Sequence, residues 1–383
     1  MKVFKYSSLT LIILLLIGAV MSCSSFGNKP SGKHLDAISK SINYNSLEKK
    51  FMNPGMDLSK EKQSFWEVTK AYINGKEKRT PKSKMPEEKV DLAKFLSPSL
   101  EMKFVWLGHS TFMVNINQKI ILFDPVFSNS ISPIKVFGSR FQAPALTLQE
   151  LPAIDYIVIS HDHYDHLDMD SIKYFKEKNT RFLIPLGVGS YLIGWGIEQE
   201  RITELDWWDE KLIAEDGLEF VCTPSQHFSG RLGAFTNPTL WASWVVRSKD
   251  NSLYFSGDSG YGKHFKEIGE KYGPFNLTFM ENGQYSKYWK KVHMMPEESA
   301  QAHLDLKGAK MVPVHWGMFN LSLHNWFDPI EEALVEAKIK GNILLTPKLG
   351  ELVLDNNSKT NETIKWWKLD RIKKVGDIQN GDK

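Results

Sequence analysis

The sequence predicts an α/β fold built as one catalytic body with two sheet faces to cover, and three observations carry that expectation. Strand-like runs begin at Lys103; they alternate with helical stretches as far as residue 355 without a linker; and the chemistry-bearing residues fall where strands end. KFVWL, TFMVNI and KIILF, between Lys103 and Phe123, break at Gly108 and at Asn117-Gln118, which reads as a β-meander. Tyr156 to Ser160 is a short buried strand. Further strands are predicted at Arg181 to Ile184, Leu218 to Thr223, Trp241 to Arg247, Leu253 to Ser256, Leu277 to Met280 and Met311 to Val314. Helices are predicted over Met169 to Lys176, Lys263 to Lys271, Pro296 to Leu306 and Pro329 to Lys340, the last two opening on a proline at the first turn.

Composition excludes several classes. The 383 residues carry 48 Lys+Arg against 45 Asp+Glu, a balance that leaves no electrostatic footprint for nucleic acid. Two cysteines cannot build a disulfide scaffold, and Cys222, in a Glu-Phe-Val-Cys-Thr run, reads as a buried strand residue. At the amino terminus Lys2 and Lys5 precede an apolar run from Leu9 to Met21, shorter than a comfortable membrane span and built like an export signal. Val20-Met21-Ser22-Cys23 resembles a bacterial lipoprotein lipobox, which implies lipidation at Cys23 and an exported, membrane-anchored protein, with the outer membrane favoured. The chain therefore divides into a signal peptide (1–22), a Ser-, Lys- and Asn-rich tether (23–60), an extension packing on the core (61–100), the catalytic domain (101–355) and a tail (356–383).

The decisive segment is Ser160-His161-Asp162-His163-Tyr164-Asp165-His166, which leaves the Tyr156 strand. In such a loop His161 and His163 share one side while Asp165 and His166 turn to another, so the motif can serve two metal ions. Imidazole nitrogens and carboxylate oxygens suit zinc, and iron or manganese share such ligands. More ligands wait at other strand exits: His227 in PSQHFSGR, Asp258 in YFSGDSGY and His315 in VPVHWGMF. His264 and His303, in predicted helices with polar neighbours, read as surface residues. His324 reads as a rim residue. Trp241 and Trp244 read as core, and lipid contact is a minor option for them and for Trp207 and Trp208.

The order His-x-His-x-Asp-His, then His, Asp and His at strand ends, resembles the metallo-β-lactamase superfamily, whose fold is a four-layer αββα sandwich. More narrowly, RFQAPALTLQELPAIDYIVISHDHYDHLD, RFLIPLGV, ITELDWWDE, GDSGY, HMMPEESAQAHLDL and PVHWGMF resemble the branch of phospholipases D that hydrolyse N-acylphosphatidylethanolamine, near the ascorbate-phosphate lactonase group. That resemblance implies two zinc ions: His161, His163 and His227 on the first, Asp165, His166 and His315 on the second, with Asp258 bridging. It places His293, in KVHMMPEES, beside the substrate phosphate as a donor, and it makes Asp165 and His293 the catalytic pair. Asp124, in LFDP, matches an aspartate that supports the ligands from behind, and His109, in WLGHSTF, reads as buried and hydrogen-bonded in the same role. Tyr261 is a candidate substrate contact, against the simpler reading of a packed tyrosine. The implied reaction is hydrolysis of a phospholipid phosphodiester by a hydroxide held between the metals; a lactonase or other ester or amide hydrolase, and a lipoprotein that binds without catalysis, are the alternatives.

Overall fold

The computed structural model describes residues 25–56, 65–134, 137–231, 236–355 and 365–368. The segment expected to be a signal peptide (1–22) and the expected lipidation site Cys23 lie outside these residues. The amino-terminal part carries α1 (Gly32–Ile38), the short pair β1 (Tyr44–Asn45) and β2 (Lys50–Phe51), α2 (Phe65–Asn74) and α3 (Leu92–Leu96). A first seven-stranded sheet then forms from β3 (Lys103–Gly108), β4 (Thr111–Ile116), β5 (Lys119–Phe123), β6 (Tyr156–Val158), β7 (Arg181–Pro185) and β8 (Ile202–Leu205), closed at one edge by β16 (Leu352–Leu354). Between its strands lie α4 (Met169–Tyr174) and α5 (Gly189–Gly194). The second seven-stranded sheet runs in chain order through β9 (Glu210–Ile213), β10 (Leu218–Thr223), β11 (Ser243–Arg247), β12 (Ser252–Phe255), β13 (Phe275–Glu281), β14 (Gly308–Val314) and β15 (Ile343–Leu344), with α6 (His264–Lys271), α7 (Pro296–Asp305) and α8 (Asp328–Lys340) in its connections.

Every strand expected from period-two patterning is present. β3 and β4 are buried on both faces, because one face meets helices and the other meets the opposite sheet. Phe112 and Phe279 stack between the sheets with ring centroids 3.9 Å apart, and Phe123 packs edge-on against Phe255. Outside the first sheet, Ile172, Phe175, Tyr191 and Leu192 from the helical segments cover Ile157 and Phe182. The result is the αββα sandwich.

The two sheets share one wiring plan, and that plan builds the site. In each, three antiparallel pairings lead into three parallel ones: β5-β6-β7-β8 in the first sheet, β12-β13-β14-β15 in the second. Parallel neighbours deliver their carboxyl ends to one edge, where open α/β sheets gather functional loops.

Three expectations need correction. The segment read as a tether is folded onto the body from Ser25 to Met56: Ile38 and Phe51 join the main core, and Asn53 donates to the His227 carbonyl at 2.8 Å. Its scattered apolar positions are anchors rather than spacer. The tail is also docked in part, since Trp366 and Trp367 are buried and Trp366 stacks on Trp316 at 5.5 Å. Finally, His264 and His303 are buried rather than on the surface; Ser259 Oγ (3.1 Å) and Thr278 Oγ1 (2.7 Å) give each ring a hydrogen-bond partner inside the helix–sheet interface. Trp241 and Trp244 are core, as their strand-like setting suggests; Trp207, between two strands, is buried as well, and Cys222 is a buried free thiol.

Candidate metal centre

All seven predicted ligands converge on the edge where the carboxyl ends meet. The first set brings Nε2 of His161, Nδ1 of His163 and Nε2 of His227 together, with separations of 2.9 Å (His161 to His163) and 3.3 Å (His227 to His163). In the second, Oδ2 of Asp165 lies 3.4 Å from Nε2 of His166 and 3.3 Å from Nε2 of His315. Asp258 stands between the sets: its Oδ1 is 3.2 Å from His166, and its Oδ2 is 3.2 Å from His315, 3.9 Å from His161 and 3.8 Å from His227.

These separations test whether ions fit. Ligands about 2.0 Å from a tetrahedral zinc sit roughly 3.3 Å from one another, the spacing found here. Nε2 of His166 and Oδ1 of Asp258, both buried, make no well-formed hydrogen bond although they face each other. Such orphaned atoms are what a cation would satisfy. The residues present therefore fit two metal ions.

The other ring nitrogens are fixed from behind. His166 Nδ1 meets Asp124 Oδ2 at 2.6 Å, and Asp124 also accepts from the Ser160 amide (2.7 Å) and hydroxyl (2.6 Å). His227 Nδ1 donates to the Val292 carbonyl at 3.0 Å, which leaves its Nε2 bare for a ligand bond, and His161 Nδ1 faces Ser160 Oγ at 2.9 Å. His109 Nε2 lies 2.9 Å from Asp165 Oδ2, so it holds that carboxylate or joins the second set as a further nitrogen. His109, Asp124 and His315 all adopt positive φ (54°, 37° and 65°), and the His315 amide donates to the His109 carbonyl at 3.1 Å. Two glycines permit the close approach of backbones here. A Cβ on Gly257 would stand 2.7 Å from Ser160 Cβ, and one on Gly283 would stand 2.3 Å from the His315 carbonyl oxygen.

The two sets differ in charge. Burial, aided by neighbouring imidazoles, holds His161 and His227 well below the usual histidine range, and burial lowers His163, so all three are neutral ligands. On the other side burial is outweighed. The Asp258 and Asp165 carboxylates push His166 well up, and Asp258 with Asp165 raises His315 to about 10. Asp165 and Asp258, in turn, are held well below the carboxylate range against the opposing effect of burial. The carboxylate side thus attracts positive charge, as protons or as metal.

Sequence reading missed Glu281. It ends β13 fully buried, its Oε1 in direct contact with His293 Nδ1 and its Oε2 accepting from the Ser259 amide at 2.7 Å. A lone Glu in FMENG gives no spacing signal, but its place directly at a strand end was the available clue. Arg231 was missed too: its guanidinium, buried against the Tyr164 ring at 3.9 Å, donates to the carbonyls of Asp162, within the ligand loop, and Leu167, just beyond it (2.8 Å each), and to Ser25. His293 is brought in, its ring parallel to His315 at 5.3 Å and edge-on to His227 at 5.2 Å. Tyr261 is not grouped with the ligands; it is exposed, its hydroxyl donates to Asp305 at 2.6 Å and its ring stacks on Phe265. His324 Nε2 accepts from the Gln284 amide at 2.9 Å.

Comparison with known proteins agrees with this geometry. The family described as the beta-lactamase superfamily domain matches residues 119–316. An uncharacterised protein of Mycobacterium tuberculosis is 43% identical over 269 residues, covering 69% of this chain and 71% of that one. The N-acyl-phosphatidylethanolamine-hydrolyzing phospholipase D 1 of Caenorhabditis elegans is 32% identical over 264 residues, 64% of this chain and 74% of its own. Among solved structures, a metallo-hydrolase of Ignicoccus hospitalis superposes with a TM-score of 0.53 at 20% identity, over 66% of this chain and 97% of its own. By its fold, its paired ligand sets and these relatives, the chain is a metal-dependent hydrolase and belongs to the metallo-β-lactamase superfamily.

Proposed function

We propose that this hydrolase is a phosphodiesterase of phospholipase D type, acting on N-acylphosphatidylethanolamine or a similar phospholipid with two zinc ions. The observation that carries the reading is the shared carboxylate: Asp258 reaches both ligand sets, with His293 packed beside each. A nematode relative with that named activity supports the choice of bond.

When bound, the ions supply an activated water and offset charge building at phosphorus. The chain's own residues do the rest. Ser160, Asp124 and the Val292 carbonyl lock three imidazoles so that their outward nitrogens face the ions. Asp165 stays ionised at all working pH values. His293 offers a donor to a non-bridging phosphate oxygen or to the departing headgroup alcohol. The products are a phosphatidic acid and that alcohol.

An anchor at Cys23 belongs to the same proposal. Arg231 grips the Ser25 carbonyl at 2.8 Å beside the ligand loop, so a lipid two residues upstream would keep the site near a membrane that holds its substrate. Among the described residues no helix is long and apolar enough to cross a membrane.

Metal-replete protein, incubated with a phospholipid panel and with lactones, carboxylic esters and amides, should release headgroup alcohol by mass spectrometry and cease to do so with chelator. Turnover of a lactone with every phospholipid untouched would overturn the phosphodiester reading. Full activity after His163→Ala with Asp258→Ala would overturn catalysis at this centre.

A further inference from the structure

Glu281 belongs to neither ligand set, yet it is a fully buried carboxylate gripped from every side. Its amide donates to Ser256 Oγ at 2.8 Å, its carbonyl accepts from Ser299 Oγ at 2.5 Å, and its Oε2 takes the Ser259 amide, one residue beyond Asp258. That leaves Oε1 free to meet His293 Nδ1 directly, with His315 Nδ1 3.6 Å away. Burying a carboxylate is costly unless it is bonded, and here its two oxygens are met by the Ser259 amide, beside Asp258, and by His293. His293 itself sits in the irregular segment before α7, so no strand orients it.

We propose that Glu281 is a positioning residue for His293. It ties the ring's Nδ1 to the end of β13, which turns the opposite nitrogen, Nε2, away from the protein floor toward bound substrate. The chain thereby places a loop histidine with the rigidity of a strand residue. This rests on the reading that His293 touches the substrate. Asp258, Glu281, His293 and His315 also lie close enough to suggest a third cation, so the metal content of wild type is part of the test.

The test is a double-mutant cycle with wild type, Glu281→Gln, His293→Ala and the double variant, each metal-replete. Metal content, kcat and KM on bis(4-nitrophenyl) phosphate, and the Kd of inorganic phosphate are measured. All four should hold two ions per chain. Glu281→Gln should lower kcat about 10- to 100-fold, the range for losing the partner behind a functional histidine, with KM little changed. The double variant should fall within about twofold of His293→Ala, because one residue acts through the other. Phosphate affinity should follow the same non-additive order. Multiplying losses, metal lost in Glu281→Gln, or a third ion in wild type would overturn the proposal. If wild type cleaves no phosphodiester, the substrate reading fails while the phosphate cycle still decides this one. Should Glu281→Gln not fold, Glu281→Met removes the buried charge and the cycle is read with it.

Discussion

Asp124 Oδ2 and His166 Nδ1 meet at 2.6 Å with both side chains wholly buried. The pair fixes which nitrogen His166 turns to the metal, and the Ser160 amide and hydroxyl hold Asp124 in place. Replacing Asp124 with Asn keeps the shape and removes the charge. Metal affinity or turnover should fall by roughly 10- to 100-fold, with the loss concentrated in the binding step, resolved by titration calorimetry, that fills the set containing His166.

Loading metal should release protons, and from one side of the centre only. His166 and His315 are raised, His315 to about 10, so both carry a proton at neutral pH in the metal-free chain; His161, His163 and His227 are lowered and carry none. Calorimetry in buffers of different ionisation enthalpy should therefore count about two protons displaced from these rings per chain at pH 7.5, beyond any proton given up by water that binds with the ions. A count near zero would mean that the carboxylate side is not charged as described.

Acid should destabilise the fold through two helical histidines outside the centre. Burial lowers His264 to about 3 and His303 to about 4, from 6.5. With a depressed folded pKa, each contributes stability that is present above pH 6.5 and drains away as the unfolded chain takes up its proton. The slope is about 1.4 kcal/mol per pH unit per histidine until the folded pKa is reached. His303→Gln should flatten the fall in melting temperature between pH 6.5 and 4 relative to wild type, measured at saturating metal above pH 6 and in chelator below it.

Arg231→Met should strip three carbonyls of their donor. The cost is roughly 3 kcal/mol for the buried Asp162 and Leu167 carbonyls left unpaired, and the melting temperature should drop accordingly. Limited proteolysis should then cut within residues 25–56 faster than in wild type, because the Ser25 carbonyl loses its grip.

The sandwich and the ligands were legible in the sequence for a shared reason. Strands buried on both faces leave long β-branched runs, and ligands at the ends of such runs appear as His or Asp directly after them, as with His315 after Val314. Glu281 sits inside its strand as the final residue, so it looks like one polar break among many. Arg231 acts on backbone carbonyls, which no sequence pattern marks. Residues 25–56 were misread for another cause. Two residues, Ile38 and Phe51, supply much of their fully buried apolar surface, too few to show a period. Short edge strands such as Leu352–Leu354 fell below recognition because half-buried residues lack alternation.

Gly257 and Gly283 give the centre a property that its ligands do not. Each marks a place where two backbones touch through the space of an absent methyl group. An engineer who varied the seven ligands to change metal preference would be rewriting the chemistry inside a frame whose dimensions are set elsewhere. Libraries aimed at new metals should leave these two positions alone, and those aimed at a wider centre should begin with them.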